Sequence, residues 1–307
     1  VSTPRTLGLP DGVRRVTIET SRGAFAALEA LPGTGVCERS PALLIPGFTG
    51  SKEDFLSVIG LLANAGRRVI AIDMRGQYET PAGRDAAAYA LSALGADVAL
   101  IAAEVAARDG DGQHRIHLMG HSFGGLVARE VVLARATRTS SLTLMSSGPG
   151  TLTGPRVADL RQVITALNQV PAAELGGLVK YVWETQLEPG AVADGTAPDV
   201  VDFLRRRMLA NCPLGLRTMG QILLSCPDRT KGLRQAAAGP LLVIYGEQDD
   251  AWDPATQESM AERLGAQRVC IPGAMHSPAV DAPETTASTL TQFWNAAERR
   301  GLSLTRN

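Results

Sequence analysis

Residues 120–125 read Gly-His-Ser-Phe-Gly-Gly, a G-x-S-x-G pattern set between a short apolar run at 116–119 and an amphipathic stretch at 123–136. A serine on a sharp turn from strand into helix presents its Oγ above the end of a sheet. Gly120 and Gly124 flank it because a Cβ at either position would clash between strand and helix. The start of the helix also offers unbonded N–H groups and the positive end of a dipole beside developing negative charge. Ser122 is therefore the candidate nucleophile. Serine is a poor nucleophile at its ordinary pKa and needs a base within hydrogen-bond reach. The chain has four histidines. His121 is held in the same turn as Ser122, so its side chain is expected to point elsewhere. His117 lies in the strand entering the turn, and His114 lies just before it. The remaining one, His276, sits in Gly273-Ala274-Met275-His276-Ser277-Pro278, a loop expected at the C-terminal end of a strand, where the sites of open parallel sheets gather.

An imidazole acting as base needs a carboxylate to fix its tautomer and stabilise its charged form. Gly246-Glu247-Gln248-Asp249-Asp250 follows the apolar run at 241–245; Asp249 is favoured there, with Asp250 as the alternative. The segment after the preceding core strand, Ser146-Ser147-Gly148-Pro149-Gly150-Thr151, contains no carboxylate. The chain order Ser, Asp, His suits the G-x-S-x-G arrangement. Acyl transfer passes through an oxyanion that preorganised N–H donors must meet. One is expected to be the backbone N–H of Phe123. The other is expected in Pro46-Gly47-Phe48-Thr49-Gly50, with the Phe48 N–H preferred and Thr49 as the alternative.

These residues need a frame. Short strands are expected at 13–20 and 24–30, joined by a turn at Ser21-Arg22-Gly23, and at 42–45, 68–73, 116–119 and 141–145. The run at 42–45 is apolar throughout, as parallel strands covered on both faces are. Helical spacing appears at 52–65, 88–108 and 123–136. The alternation implies an α/β fold with a mostly parallel sheet flanked by helices. From about 151 to 232 only helical patterns appear, at 159–167, 172–186, 199–211 and 214–224. The alternation resumes with a strand at 241–245, a helix at 254–264, a strand at 268–271 and a helix at 283–299. The division expected is a core of residues 1–150 and 233–307, interrupted by a helical cap at 151–232. Leu160, Val163 and Met219 are among the cap residues that could line a pocket or form the cap's own core.

The chain has 307 residues, 45% of them apolar, and a formal net charge of −1. The even charge balance gives no support for a nucleic-acid partner, and no apolar run approaches the roughly 18–20 residues that span a bilayer. Cys37, Cys212, Cys226 and Cys270 are scattered without a metal-ligand pattern and read as free thiols, although a Cys212–Cys226 bridge is sterically conceivable. No metal or organic cofactor is implied. No signal peptide is visible, which favours the cytoplasm.

Taken together, these segments resemble the α/β-hydrolase superfamily, in particular bacterial serine hydrolases with a helical cap. Besides the serine turn, the resemblance rests on Ile45-Pro46-Gly47-Phe48, Ile72-Asp73-Met74-Arg75-Gly76, Gly246-Glu247-Gln248-Asp249 and Gly273-Ala274-Met275-His276. Two departures stand out. Pro46 replaces the usual His before Gly47, and Gln77-Tyr78-Glu79-Thr80 replaces the common His-Gly-x-Ser. Ser rather than Asp at the turn sets aside haloalkane dehalogenase and epoxide hydrolase chemistry. The function expected is hydrolysis of an ester-like carbonyl in a small to medium, largely uncharged small-molecule substrate, through an acyl-enzyme on Ser122. The same residues could serve lactone, thioester or C–C bond hydrolysis, peracid formation or aminopeptidase chemistry; a reading of another class is a ligand-binding protein without turnover.

Overall fold

Strands Val13–Thr20 (β1) and Gly23–Ala30 (β2) form an antiparallel hairpin that pairs Val13 with Ala30 and Thr20 with Gly23. Gly23, at φ 123°, makes the tight reversal that other residues resist. The chain continues through Ala42–Ile45 (β3), Leu56–Ala63 (α1), Val69–Ile72 (β4), Leu91–Ala107 (α2), Ile116–His121 (β5), Phe123–Leu133 (α3) and Thr139–Met145 (β6). A helical stretch follows, with Arg156–Gln169 (α4), Leu175–Val182 (α5), Glu188–Ala193 (α6), Pro198–Ala210 (α7), Pro213–Ser225 (α8) and Thr230–Ala236 (α9). It returns to Leu241–Gly246 (β7), Pro254–Leu264 (α10), Gln267–Ile271 (β8), Pro278–Asp281 (α11) and Pro283–Leu304 (α12). This is a computed structural model, and it describes residues 2–33, 37, 39–108 and 115–304.

The strands form one eight-stranded sheet in the order β1-β2-β4-β3-β5-β6-β7-β8. β2 meets β4 antiparallel, and every pairing from β4 to β8 is parallel. Side chains alternate between the two faces, as the period of a strand requires. Leu43 and Ile45 of β3, Ile70 and Ile72 of β4 and Val243 of β7 face one apolar layer with α2, α3 and α10. Ala42, Leu44, Val69, Ala71, Leu242 and Ile244 face the other, with α1 and α12. Full burial of each large aliphatic side chain contributes about 1.5–3 kcal/mol, so strands of four residues hold as firmly as longer exposed ones. From β3 the chain goes to β4 on one side, while β5 lies on the other. The C-terminal ends of β3 and β5 thus lie at a topological switch point, where open α/β sheets bind their ligands.

The continuous helix expected at 52–65 is a 3-10 turn, Lys52–Phe55, followed by α1. That turn buries Lys52, Glu53 and Asp54, residues that would read as a solvated first turn. The helix expected to begin at 88 begins at Leu91, because Ala90 is extended at ψ 146° and ends a separate turn over Ala86–Tyr89. The stretch at 172–186 is broken by a π-helical turn at Trp183–Leu187. α9 packs against α3 and α10. Cys212 and Cys226 are not bridged. Among the described residues no helix is long and apolar enough to cross a membrane.

His117 ties the sheet to the C-terminal helix. Its Nε2–H donates to Glu298 at 3.1 Å, its Nδ1 accepts from the Ser141 hydroxyl at 2.7 Å, and its ring stacks on Trp294 at 5.5 Å. Burial pushes its pKa down to about 4 against the pull of the Glu298 carboxylate, and Arg67 adds to the lowering. The unfolded chain takes up this proton as pH falls through about 6.5, while the folded protein refuses it until about 4, so stability drops across that window. Urea unfolding is expected to show on the order of 2 kcal/mol less stability at pH 5 than at pH 7.5 from this group. His117→Gln should make the dependence shallower.

Candidate active site

Ser122 joins β5 to α3 at φ 55° and ψ −121°, a conformation that costs a residue with a Cβ on the order of 1–3 kcal/mol. It persists because its neighbours determine it. The Ser122 N–H donates to Met145 O at 2.8 Å, and the Gly125 N–H donates to Ser122 O at 2.9 Å. The flanking glycines are required by close approach: a Cβ on Gly120 would lie 2.2 Å from Gly124 O, and one on Gly124 would lie 2.4 Å from Pro46 O.

The loops after β7 and β8 bring Asp249 and His276 to this turn. His276 Nε2 lies 3.0 Å from Ser122 Oγ, and Nδ1 lies 2.8 Å from Asp249 Oδ1. An ionised carboxylate only accepts. Nδ1–H therefore donates to Asp249, and the Nε2 lone pair is left to accept the Ser122 hydroxyl. Asp249 also accepts the Ala251 N–H at 3.0 Å and the Gln257 side-chain amide at 2.9 Å. Burial works to raise the Asp249 carboxyl, but the hydrogen bond and charge of His276, with the Ala251 and Gln257 bonds, outweigh it and hold the group below its ordinary value. Asp250, on the same turn, pairs instead with Arg156 of α4 at 2.8 Å.

The loop after β3 lies against the serine turn, close enough that a Cβ on Gly47 would sit 3.1 Å from Ser122 Cβ. The Phe48 N–H belongs to this loop, and the Phe123 N–H opens α3. Among the described residues neither donates to an acceptor. Thr49, the alternative donor, sits at φ 60°. Residues 42–289, from β3 into α12 and including every loop just described, match a single family profile.

The chain belongs to the alpha/beta hydrolase family. It is 36% identical over 113 residues to a protein of Variovorax paradoxus (strain S110) assigned as a carbamate hydrolase, a match spanning 37% of this chain and 40% of that protein. It is 28% identical over 224 residues to the pimeloyl-acyl-carrier-protein methyl ester esterase of Aeromonas salmonicida (strain A449), spanning 71% and 81% of the two. A thermophilic esterase from Thermogutta terrifontis superposes with a TM-score of 0.68 at 23% identity, over 92% of this chain and 99% of that one; this last is a likeness of fold. The protein is a hydrolase.

Several residues around the candidate site of this hydrolase left no mark in the sequence. His121 does turn away from Ser122 Oγ, yet it is not remote from the site: its Nε2–H donates to the backbone carbonyl of His276 at 2.7 Å. Burial, together with the charge of His276, pushes its pKa down to about 3, so it stays neutral and steadies the loop. His114 lies outside the described residues. Gln257, eight residues beyond Asp249 on α10, holds both that carboxylate and Trp252 O. Lys52 Nζ reaches Asp73 at 2.8 Å, which ties the loops after β3 and β4 together. Asp249, Asp250 and His276 have ligand-type atoms within 4.8 Å of one another. These atoms are engaged by one another and by Arg156, which makes the cluster a poor metal cage.

The contacts at Gly120 set a direct expectation. Gly120→Ala should cost about 3 kcal/mol or more in urea unfolding, because backbone rather than a flexible side chain occupies the space. Gly8→Ala, where an added Cβ meets nothing within 4 Å, should change stability by no more than about 0.5 kcal/mol.

Proposed function

We propose that the protein hydrolyses uncharged carboxylic esters of small to medium acids through an acyl-enzyme. Ser122 Oγ attacks the ester carbonyl while His276 Nε2 takes its proton. Asp249 holds the imidazole in the Nδ1–H form and stabilises its charge. The Phe48 and Phe123 N–H groups receive the oxyanion. His276 then protonates the departing alcohol, later takes a proton from the water that clears the acyl group, and returns it to the Ser122 oxygen as that leaves. The observation that carries this reading is the unbroken line from Asp249 through His276 to Ser122, at 2.8 and 3.0 Å, ending at the N-terminus of α3.

The helices of residues 151–232 act in this reading as a cap that shapes the acyl pocket. Apolar contacts support that role. Met219 and Leu223 of α8 join the cluster that contains Leu152 and Trp252. Ile164 of α4 and Gly220 of α8 meet so closely above Phe48 that a Cβ on Gly220 would lie 2.2 Å from Ile164 Cδ1 and 3.5 Å from Phe48 Cζ. A roof of such apolar residues over Phe48 favours an uncharged acyl chain and disfavours a carboxylate. The methyl ester esterase among the relatives fits the reaction class.

A fluorophosphonate probe, followed by peptide mass spectrometry, tests the reading. Stoichiometric labelling at Ser122 is expected, and it should be lost in Ser122→Ala and His276→Ala. Asp249→Asn should lower kcat by about 10⁴ because the imidazole is left in the wrong tautomer, whereas Asp250→Asn should remain near wild type. p-Nitrophenyl butyrate should be cleaved with higher kcat/KM than the hemisuccinate. A folded protein that takes no label at Ser122, or one in which Asp250→Asn rather than Asp249→Asn loses activity, would contradict the assignment.

A further inference from the structure

Gln77 departs from the family's usual residue at its position and is fully buried, at 0% exposure. Its amide bridges two loops. Nε2 donates to the Gly47 carbonyl at 2.9 Å, and Oε1 accepts the Met74 N–H at 3.0 Å. A backbone N–H only donates and a carbonyl only accepts, so the orientation of the amide is fixed by its two partners. Its backbone is held as well, with the Gln77 N–H donating to Met74 O at 2.9 Å.

The Gly47 carbonyl and the Phe48 N–H belong to one peptide group. Among the described residues there is no cis peptide bond, and in a planar trans peptide the C=O and N–H point in opposite directions. Fixing one fixes the other. Glycine lacks the Cβ that would resist rotation of this peptide, so Gly47 by itself leaves the Phe48 N–H free to turn. Two donors prevent that turn, Gln77 Nε2 and the Gly50 N–H, the latter 3.1 Å from Gly47 O. We infer that Gln77 is a positioning residue for the oxyanion: by holding the Gly47 carbonyl it keeps the Phe48 N–H aimed at the developing charge. The inference rests on the proposed role of Phe48.

The helical insertion braces this device from both sides of Gln77. The Cys212 N–H donates to Gly76 O at 2.7 Å, and the Tyr78 N–H donates to Asn211 Oδ1 at 3.2 Å. Both partners lie at the joint between α7 and α8. From α7, Arg207 also reaches Asp54 at 2.6 Å, and Asp54 accepts the Ser51 N–H at 3.3 Å. The loop that presents Phe48 is therefore set by the insertion as well as by the sheet.

The test compares wild type with Gln77→Met, which keeps the length and loses the donor, and Gln77→Leu, which also has no donor. Each is assayed on a p-nitrophenyl ester and on the thionoester in which sulfur replaces the carbonyl oxygen. Sulfur accepts hydrogen bonds weakly, so a misaimed N–H should slow the ester far more than the thionoester. Both variants should lose roughly 10–100-fold in kcat on the ester, with KM little changed, and the ester-to-thionoester rate ratio should shrink. Thermal melting and the stoichiometry of fluorophosphonate labelling report whether each variant is folded; if one is not, the other decides. Equal slowing of both substrates, or no slowing of either, overturns the role. A wild type that takes no label at Ser122 overturns the proposed reaction itself, and this role with it.

Discussion

The passage from β5 into α3 has no spare room. Gly120 meets the carbonyl of Gly124, Gly124 meets that of Pro46, and Gly125 meets the Ser147 side chain at distances no Cβ could share. Ser122 is caught between them in a backbone state that serine avoids. The strain is affordable because three buried strands, β3, β5 and β6, supply the atoms that enforce it. From this constraint the rest of the site follows. The loop after β3 must lie against the serine, the helix dipole of α3 must begin there, and the loops after β7 and β8 need only reach one fixed Oγ.

Around this rigid turn the protein buries an unusual amount of charge. Lys52, Asp73, Glu53, Asp54 and Arg207 are each at most 2% exposed. Buried ion pairs are weak sources of net stability, since desolvation consumes most of their attraction, but removing one partner costs about 3–5 kcal/mol. Here the pairs join segments that share no sheet hydrogen bonds: Lys52 links the loops after β3 and β4, and Arg207 links α7 to the first. Their contribution is to the geometry of the loop that carries Phe48.

The candidate site was legible in the sequence where the proposed chemistry demands a residue type at a fixed point. Ser122 followed from glycines at the two required spacings, and His276 followed from the poor placement of the other histidines. Asp249 and Asp250 could only be ranked, because adjacent carboxylates on one turn differ only in the direction each faces. That direction is set by Ala251, Gln257 and Arg156. Strands β3, β4 and β7 were legible from apolar runs because both faces of the sheet are covered there. The first turn after β3 was not, since charged residues at helical spacing look the same whether solvated or paired. Gln77, Arg207 and His121 were illegible for a related reason: their partners lie 30, 153 and 155 residues away, and only folding brings them within reach.

The most direct measurement is a crystal structure of the Ser122 phosphonate adduct, in which the phosphonyl oxygen stands where the oxyanion forms. It should lie within roughly 2.7–3.1 Å of both the Phe48 and Phe123 nitrogens, with the Gly47 carbonyl still on Gln77. A phosphonyl oxygen turned to solvent or held by a side chain, with the Phe48 N–H pointing elsewhere, would contradict the proposed architecture of the site.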